Sequence, residues 1–211
     1  MKPFSRPSPS PVTAALLLVA ALAFGGCFGS PPSRFYLLTP SAAPAAEAPP
    51  PSAPVPGGPV LVVGPVETAR YLDRPEVLLR VGPNEIRPAD SAFWAEPLKE
   101  MVLRVLARDL GALLHTNRVR LFPRAGSGPP ADFSVRIRLD RFDTDRDGRT
   151  LLEGSWTLTA KDGTSSTSRF TFETRARDPK DCASVTAAMN EALSGLSTGI
   201  AKALAASKGQ P

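Results

Sequence analysis

Histidine is nearly absent from this chain: His115 is the only one, so a Ser-His-Asp or Cys-His arrangement would have to run through it. It follows Leu113-Leu114 at the end of a helical pattern, where histidine commonly meets the last helical carbonyls. Cysteine is scarce as well: Cys27 and Cys182 alone exclude a multi-bridge disulfide framework, and no zinc spacing is present. No nucleophile elbow is present, because the one Gly-x-Ser-x-Gly spacing, at residues 195–199, falls inside a helical pattern rather than at a strand-to-helix turn, and a phosphate-cradling glycine loop is missing. Neither sign of charge dominates, with 25 basic residues against 20 acidic, an excess too small to argue for nucleic acid. Long apolar runs are lacking too. The one at residues 12–24 covers 13 positions, where a bilayer span needs roughly 20.

That short run is informative for another reason. Lys2 and Arg6 precede it with no acid before Cys27, and Gly25-Gly26 follow it. A basic start, a short apolar stretch and small residues at a cleavage point make a secretory signal. A cysteine directly after the small pair adds a lipobox, in which cleavage before Cys27 frees its amine and thiol for acylation. Phe24 stands where leucine is usual, and an ordinary signal with a coincident cysteine is the plainer alternative. The mature chain would then be residues 27–211, with 23 basic residues against 20 acidic once Lys2 and Arg6 are gone. Cys182 would have no partner within it and would be either buried and inert or reactive. Its place beside Ala183 and Val185, at the start of an amphipathic helix, reads as buried.

Composition divides the rest. Phe35-Tyr36-Leu37-Leu38 resembles a short strand, whereas residues 39–58 carry seven prolines, many alanines and Glu47 as the one charge. Such a stretch cannot bury a core. It reads as a flexible tether, spanning roughly 25 Å as coil to 60 Å as polyproline II, that lets a domain stand off its membrane.

The folded unit is expected to start at Pro59. Residues 60–63 form a β-branched run broken by Gly64-Pro65, and a second strand at 76–81 follows the Asp73-Arg74-Pro75 turn. From Pro97 onward Leu98, Met101, Val102, Val105, Leu106 and Leu110 recur at helical spacing. A short strand at 118–122 and a loop at 126–130 come next. Phe133, Val135, Ile137 and Leu139 then alternate with polar residues, the pattern of a half-buried strand. Two further strands, 151–160 and 167–174, flank Lys161-Asp162-Gly163 as a hairpin turn. Asp178-Pro179 opens a last helix whose second face is rich in small and hydroxyl residues, suited to close packing. The fold class is α+β: one domain, an antiparallel or mixed sheet with two long helices packed on it. The divisions are signal 1–26; anchor, short strand and tether 27–58; α+β domain 59–206; and a disordered tail 207–211.

Asp143-Thr-Asp145-Arg-Asp147-Gly148 opens like an EF-hand calcium loop. Position twelve of that loop, which needs a bidentate glutamate, is Gly154, and the flanking segments read as strands rather than helices. An acidic hairpin loop is the better reading, and neither a metal nor a cofactor is expected. Tyr71-Leu72-Asp73-Arg74-Pro75 and Phe93-Trp94-Ala95-Glu96-Pro97-Leu98 carry a different message. Tyr71 and Trp94 are large surfaces with a polar handle, suited equally to a core edge or to an interface, and a charged loop beside an aromatic is a common recognition surface.

In this arrangement the chain resembles the ABC-type transport auxiliary lipoproteins, which include the paraquat-inducible protein C group. The resemblance rests on Gly64-Pro65-Val66, on residues 71–75 and on residues 94–98, in that order, with Phe35-Tyr36-Leu37-Leu38 similar to the family's segment after the lipobox. Ala69 and Phe93 depart from it where proline and arginine are usual. It covers roughly residues 35–205, the C-terminal half by pattern only. It implies a non-enzymatic lipoprotein, acylated at Cys27, on the periplasmic face of the outer membrane, where Phe28 rather than aspartate after the cysteine favours release to that membrane. It further implies a role beside an ABC permease and an MCE-domain protein in lipid or solvent transport, docking the transport conduit, with scope for self-assembly into a ring. Tyr71, Asp73, Arg74, Trp94 and Glu96 are the partner-contact candidates. The rival expectation is a free-standing periplasmic lipoprotein that binds an apolar ligand or a client protein.

Overall fold

The alternating residues 133–139 form part of the longest strand in a computed structural model that describes residues 32–40, 59–122 and 130–207. The elements are β1 (Arg34–Tyr36), β2 (Leu61–Thr68), β3 (Glu76–Gly82), β4 (Glu85–Trp94), α1 (Leu98–Leu113), β5 (Val119–Leu121), β6 (Phe133–Asp145), β7 (Arg149–Ala160), β8 (Ser165–Arg175) and α2 (Cys182–Ser207). A 3-10 turn, Arg70–Leu72, lies between β2 and β3. The described residues from Ser33 onward form one compact unit.

β6 is the spine of a mixed, open sheet. One edge pairs antiparallel with β7, and β7 with β8. The other edge is shared, with β2 parallel along residues 133–139 and β3 parallel at Thr144 and Asp145. β5 joins β2 in parallel, β4 joins β3 antiparallel, and β1 completes that side in parallel on β4. Between Leu139 and Arg141 the register of β6 slips by one residue. The inward parity therefore changes, from Val135, Ile137 and Leu139 before the slip to Phe142 after it. Gly154 faces this point, and a Cβ there would run into the Arg138 carbonyl.

Both helices bury the faces their spacing predicts. α1 lies on β2 and against α2, which lies on β7 and β8. The small residues of α2 serve close approach: a Cβ at Gly195 would come within 2.7 Å of the Phe172 ring, and one at Gly199 within 3.4 Å of Trp156. Trp156 stacks on Phe170 with ring centroids 5.5 Å apart, so an aromatic ridge on the sheet fits a smooth helix. No helix among the described residues is long and apolar enough to cross a membrane.

Four local expectations differ from the structure. Gly64-Pro65 does not end β2; the strand absorbs it as an irregularity between Val63 and Val66, with Gly64 at φ +103°, and runs on to Thr68. β4 has no counterpart in the sequence reading, because Pro88 and Asp90 interrupt its alternation, yet it pairs along β3 with two register shifts. The last helix begins at Cys182 rather than at 178, since the Asp181 carboxylate accepts from the Ala183 and Ser184 amides at 3.2 Å each and caps it. The sheet also begins upstream of residue 59. β1 pairs with β4 from Arg34↔Ala92 to Tyr36↔Trp94, Leu38 is buried, and Thr39 exchanges two 3.0 Å hydrogen bonds with Asn190. The Pro/Ala-rich residues 41–58 therefore connect β1 to β2, two strands of the same sheet. Those residues, the signal segment, Cys27 and residues 123–129 lie outside the described residues.

Candidate functional site

The two motif segments are brought together by the β3–β4 pair. β2 ends at Thr68, and Ala69 donates to the Leu139 carbonyl at 2.9 Å. The 3-10 turn then closes through Leu72 N–H to the Ala69 carbonyl, also 2.9 Å, with the Leu72 side chain buried as its peg. Beyond it the Pro75 carbonyl accepts the Trp94 amide, and Glu76 pairs with Phe93. Ala95 donates to the Tyr36 carbonyl of β1, and Pro97 supplies the first carbonyl of α1, to Glu100 and Met101. Proline suits that place because its missing N–H would be unpaired in any case.

A groove of about 330 Å³ results, with Asp73, Arg74 and Glu96 as its charged lining and Trp94, Pro97 and Leu98 among the apolar part. Trp94 is 6% exposed and Leu98 4%, so both also belong to the core. The rim charges are each paired at the surface: Arg74 with Glu76 at 3.3 Å, Glu96 with Arg104 at 2.7 Å, and Asp73 with Lys99 at 4.0 Å. Exposed pairs of this kind contribute about 0–1 kcal/mol, so the charges can be redirected to a partner at small cost. Among the described residues the lining holds no serine, threonine, cysteine, lysine or histidine. An apolar floor with a rim of both signs can grip a protein segment.

Tyr71 is directed elsewhere. Its hydroxyl donates to Asp143 Oδ2 at 3.1 Å, and the same carboxylate accepts from Arg80 at 2.9 and 2.8 Å and from Arg141 at 3.0 Å. Burial, followed by the Asp143 charge, pushes the Tyr71 phenol up to about 12. Burial also opposes ionisation of Asp143, but hydrogen bonds from Arg80 and Arg141 outweigh it and hold the carboxyl below its usual range. Of the five candidates, four thus line one groove, and Tyr71 instead joins the ion cluster around buried Asp143. Sequence reasoning missed that cluster, because Arg80, Arg141 and Asp143 lie on strands that meet only through the β3–β6 pairing.

The acidic run at 143–148 is a β6–β7 hairpin. Asp143 is consumed by the cluster, Asp145 accepts the Asp147 and Arg149 amides at 2.9 Å each, and Gly148 turns the chain at φ +82°. His115 takes a left-handed conformation, φ +50°, in the helix-ending turn in which its amide reaches the Ala112 carbonyl and that of Thr116 the Gly111 carbonyl. It shares a groove of about 350 Å³ with Asp109 and Ser197. Ser197 is 1% exposed and bonds Asp109 and the Leu193 carbonyl, both at 3.0 Å, a tie between the helices rather than a serine activated by histidine. Cys182 is half-buried rather than buried, and that burial, with Asp181 nearby, raises its thiol above the ordinary value. Cys27, the lipidation candidate, lies outside the described residues.

An open mixed sheet backed by two helices, with a charged-rim groove where the sheet meets the first helix, defines a small α+β class. The family model for the ABC-type transport auxiliary lipoprotein component matches residues 36–201, and the chain belongs to that family. Membership makes it an auxiliary lipoprotein of ABC-type transport in the cell envelope. Two crystal structures share the fold. One, of a protein described as uncharacterized, is 17% identical with a TM-score of 0.66 over 82% of this chain and 99% of its own. The other, protein XCC0632 from Xanthomonas campestris, of the DUF330 family, is 22% identical with a TM-score of 0.60 over 79% and 92%. No curated protein matches the chain.

Proposed function

We propose that the protein is a non-enzymatic lipoprotein of the outer membrane, facing the periplasm, that docks the conduit of an MCE-linked ABC-type lipid or solvent transporter. The observation that carries this reading is the convergence of residues 73–75 and 94–98 on one groove. Two segments separated by a whole β-hairpin share a floor, while Asp73, Arg74 and Glu96 keep their charges at its rim. In this reading the groove holds a segment of the MCE-domain protein, and acylated Cys27 keeps the complex at the membrane. Phe28 after the cysteine, in place of aspartate, supports the outer membrane as destination.

Crosslinking in the native envelope followed by capture of the mature protein tests this. The wild type should recover an MCE-domain subunit. Arg74→Ala, whose side chain is 55% exposed, should recover several-fold less while its stability stays within about 0.5 kcal/mol of the wild type. Recovery of no MCE-domain subunit by a normally expressed wild type would overturn the reading.

A further inference from the structure

The large apolar side chains exposed among the described residues are Phe35, Leu37, Leu113 and Phe122. Two of the four belong to the short segment around β1. Phe35 is 68% exposed and Leu37 47%, and the Phe35 ring leans on Phe93, its neighbour across the β1–β4 pair, at 5.9 Å. Tyr36, between them, packs toward the core. Among the described residues β1 is also an edge strand with no partner on its outer side, and exposed Arg34 stands at its start. An apolar edge left open in this way is a liability unless something covers it.

Chain length says what lies closest. Residues 28–33 are all that separates Cys27 from Arg34. At about 3.6 Å per residue at most, the anchor cysteine and β1 are no more than about 25 Å apart. A domain of roughly 150 residues has a radius of gyration of about 15 Å, so this leash is shorter than the domain is wide. A lipid on Cys27 would therefore keep the start of β1 within that reach, and the Pro/Ala-rich residues 41–58, which follow β1, add nothing to it.

We infer that the β1 edge rests on the bilayer that holds the Cys27 lipid, with Phe35 and Leu37 in the interfacial region and Arg34 among the anionic headgroups. The inference rests on the lipid anchor of the proposed function and adds an orientation to it. The domain lies against the membrane with the β7–β8 turn at Gly163, at the other side of the sheet, in water. An aromatic and an aliphatic side chain suit the boundary between headgroup and acyl chain. There, water and headgroups satisfy the free backbone groups of the edge.

The test uses the full lipidated chain in vesicles of phosphatidylethanolamine and phosphatidylglycerol. An environment-sensitive fluorophore is placed at Leu37→Cys or at Gly163→Cys, each in a Cys182→Ser background, and the lipids carry a nitroxide quencher. Co-flotation with the vesicles reports the anchor, and quenching reports the edge. The expected result is co-flotation of both proteins, with quenching at position 37 several-fold stronger than at 163. Co-flotation with equal, weak quenching at both positions would overturn the inference and leave the anchor standing. A fluorophore at 37 that is dehydrated but not quenched would also overturn it, placing protein, such as a second copy of the chain, on the edge. Failure to float would remove the anchor, and the inference with it.

Discussion

Asp143 is fully buried and accepts hydrogen bonds from two arginines and a tyrosine, so its charge is compensated inside the fold. Replacing it by alanine leaves Arg80 and Arg141 facing one another without their anion. Broken buried pairs cost about 3–5 kcal/mol, and because both arginines are partly exposed the low end, about 3 kcal/mol, is expected from urea denaturation. The pH signs follow from the shifts. The Asp143 carboxyl is depressed, so its contribution is complete above the unfolded value near pH 4 and is lost as pH falls through the lower folded value. Tyr71 is raised to about 12, so its contribution is complete below the unfolded value near 10 and is lost as pH rises toward 12. In a Tyr36→Phe background, ultraviolet titration of the remaining phenol should therefore give a midpoint near 12; one near 10 would contradict the burial of Tyr71 beside the Asp143 charge. The sequence showed Tyr71 and Asp143 as separate motif members, one beside a turn and one in an apparent calcium loop. Their union was illegible because 72 positions separate them and a parallel strand pair joins them.

At the scale of elements, periodicity was readable where one face is buried and the other wet. β6, α1 and the α2 face carry that signal over many residues, and the structure has them where the spacing puts them. β4 did not, because Pro88 interrupts its alternation and the strand is positioned by the turn before it and by pairing with β3. β1 is too short to show a period, and three residues gain their strand geometry only from β4. The slip at Asp140 was equally silent, although Gly154 marks it from the facing strand. Gly154→Ala should be destabilising by about 2–3 kcal/mol, since the obstacle is the Arg138 backbone and cannot swing aside as a side chain would. A denaturation midpoint equal to the wild type would show that β6 has slack at the bulge. Gly195→Ala is expected to cost less, because the Phe172 ring can shift and alanine is about 1 kcal/mol better than glycine within a helix.

For the molecule as a whole, the partner-contact candidates were legible as two motifs, while the groove they form was not. The intervening hairpin hides their proximity, and Lys99 and Arg104, which pair the rim acids, carry no motif of their own. The same three-dimensional closure puts the Pro/Ala-rich segment between two strands, so that in the proposed reading only residues 28–33 separate an acylated Cys27 from the sheet. A lipoprotein held so closely should lose transport function on Cys27→Ser while its thermal unfolding stays unchanged, and full activity of that soluble variant would argue against docking at the membrane. The central claim, that the groove grips an MCE-domain partner, is tested most directly by a photo-crosslinking amino acid at position 74 in the native envelope, with position 163 as reference. An adduct with an MCE-domain subunit at 74 and none at 163 is predicted; a normally expressed protein that gives no such adduct at 74 would contradict the account.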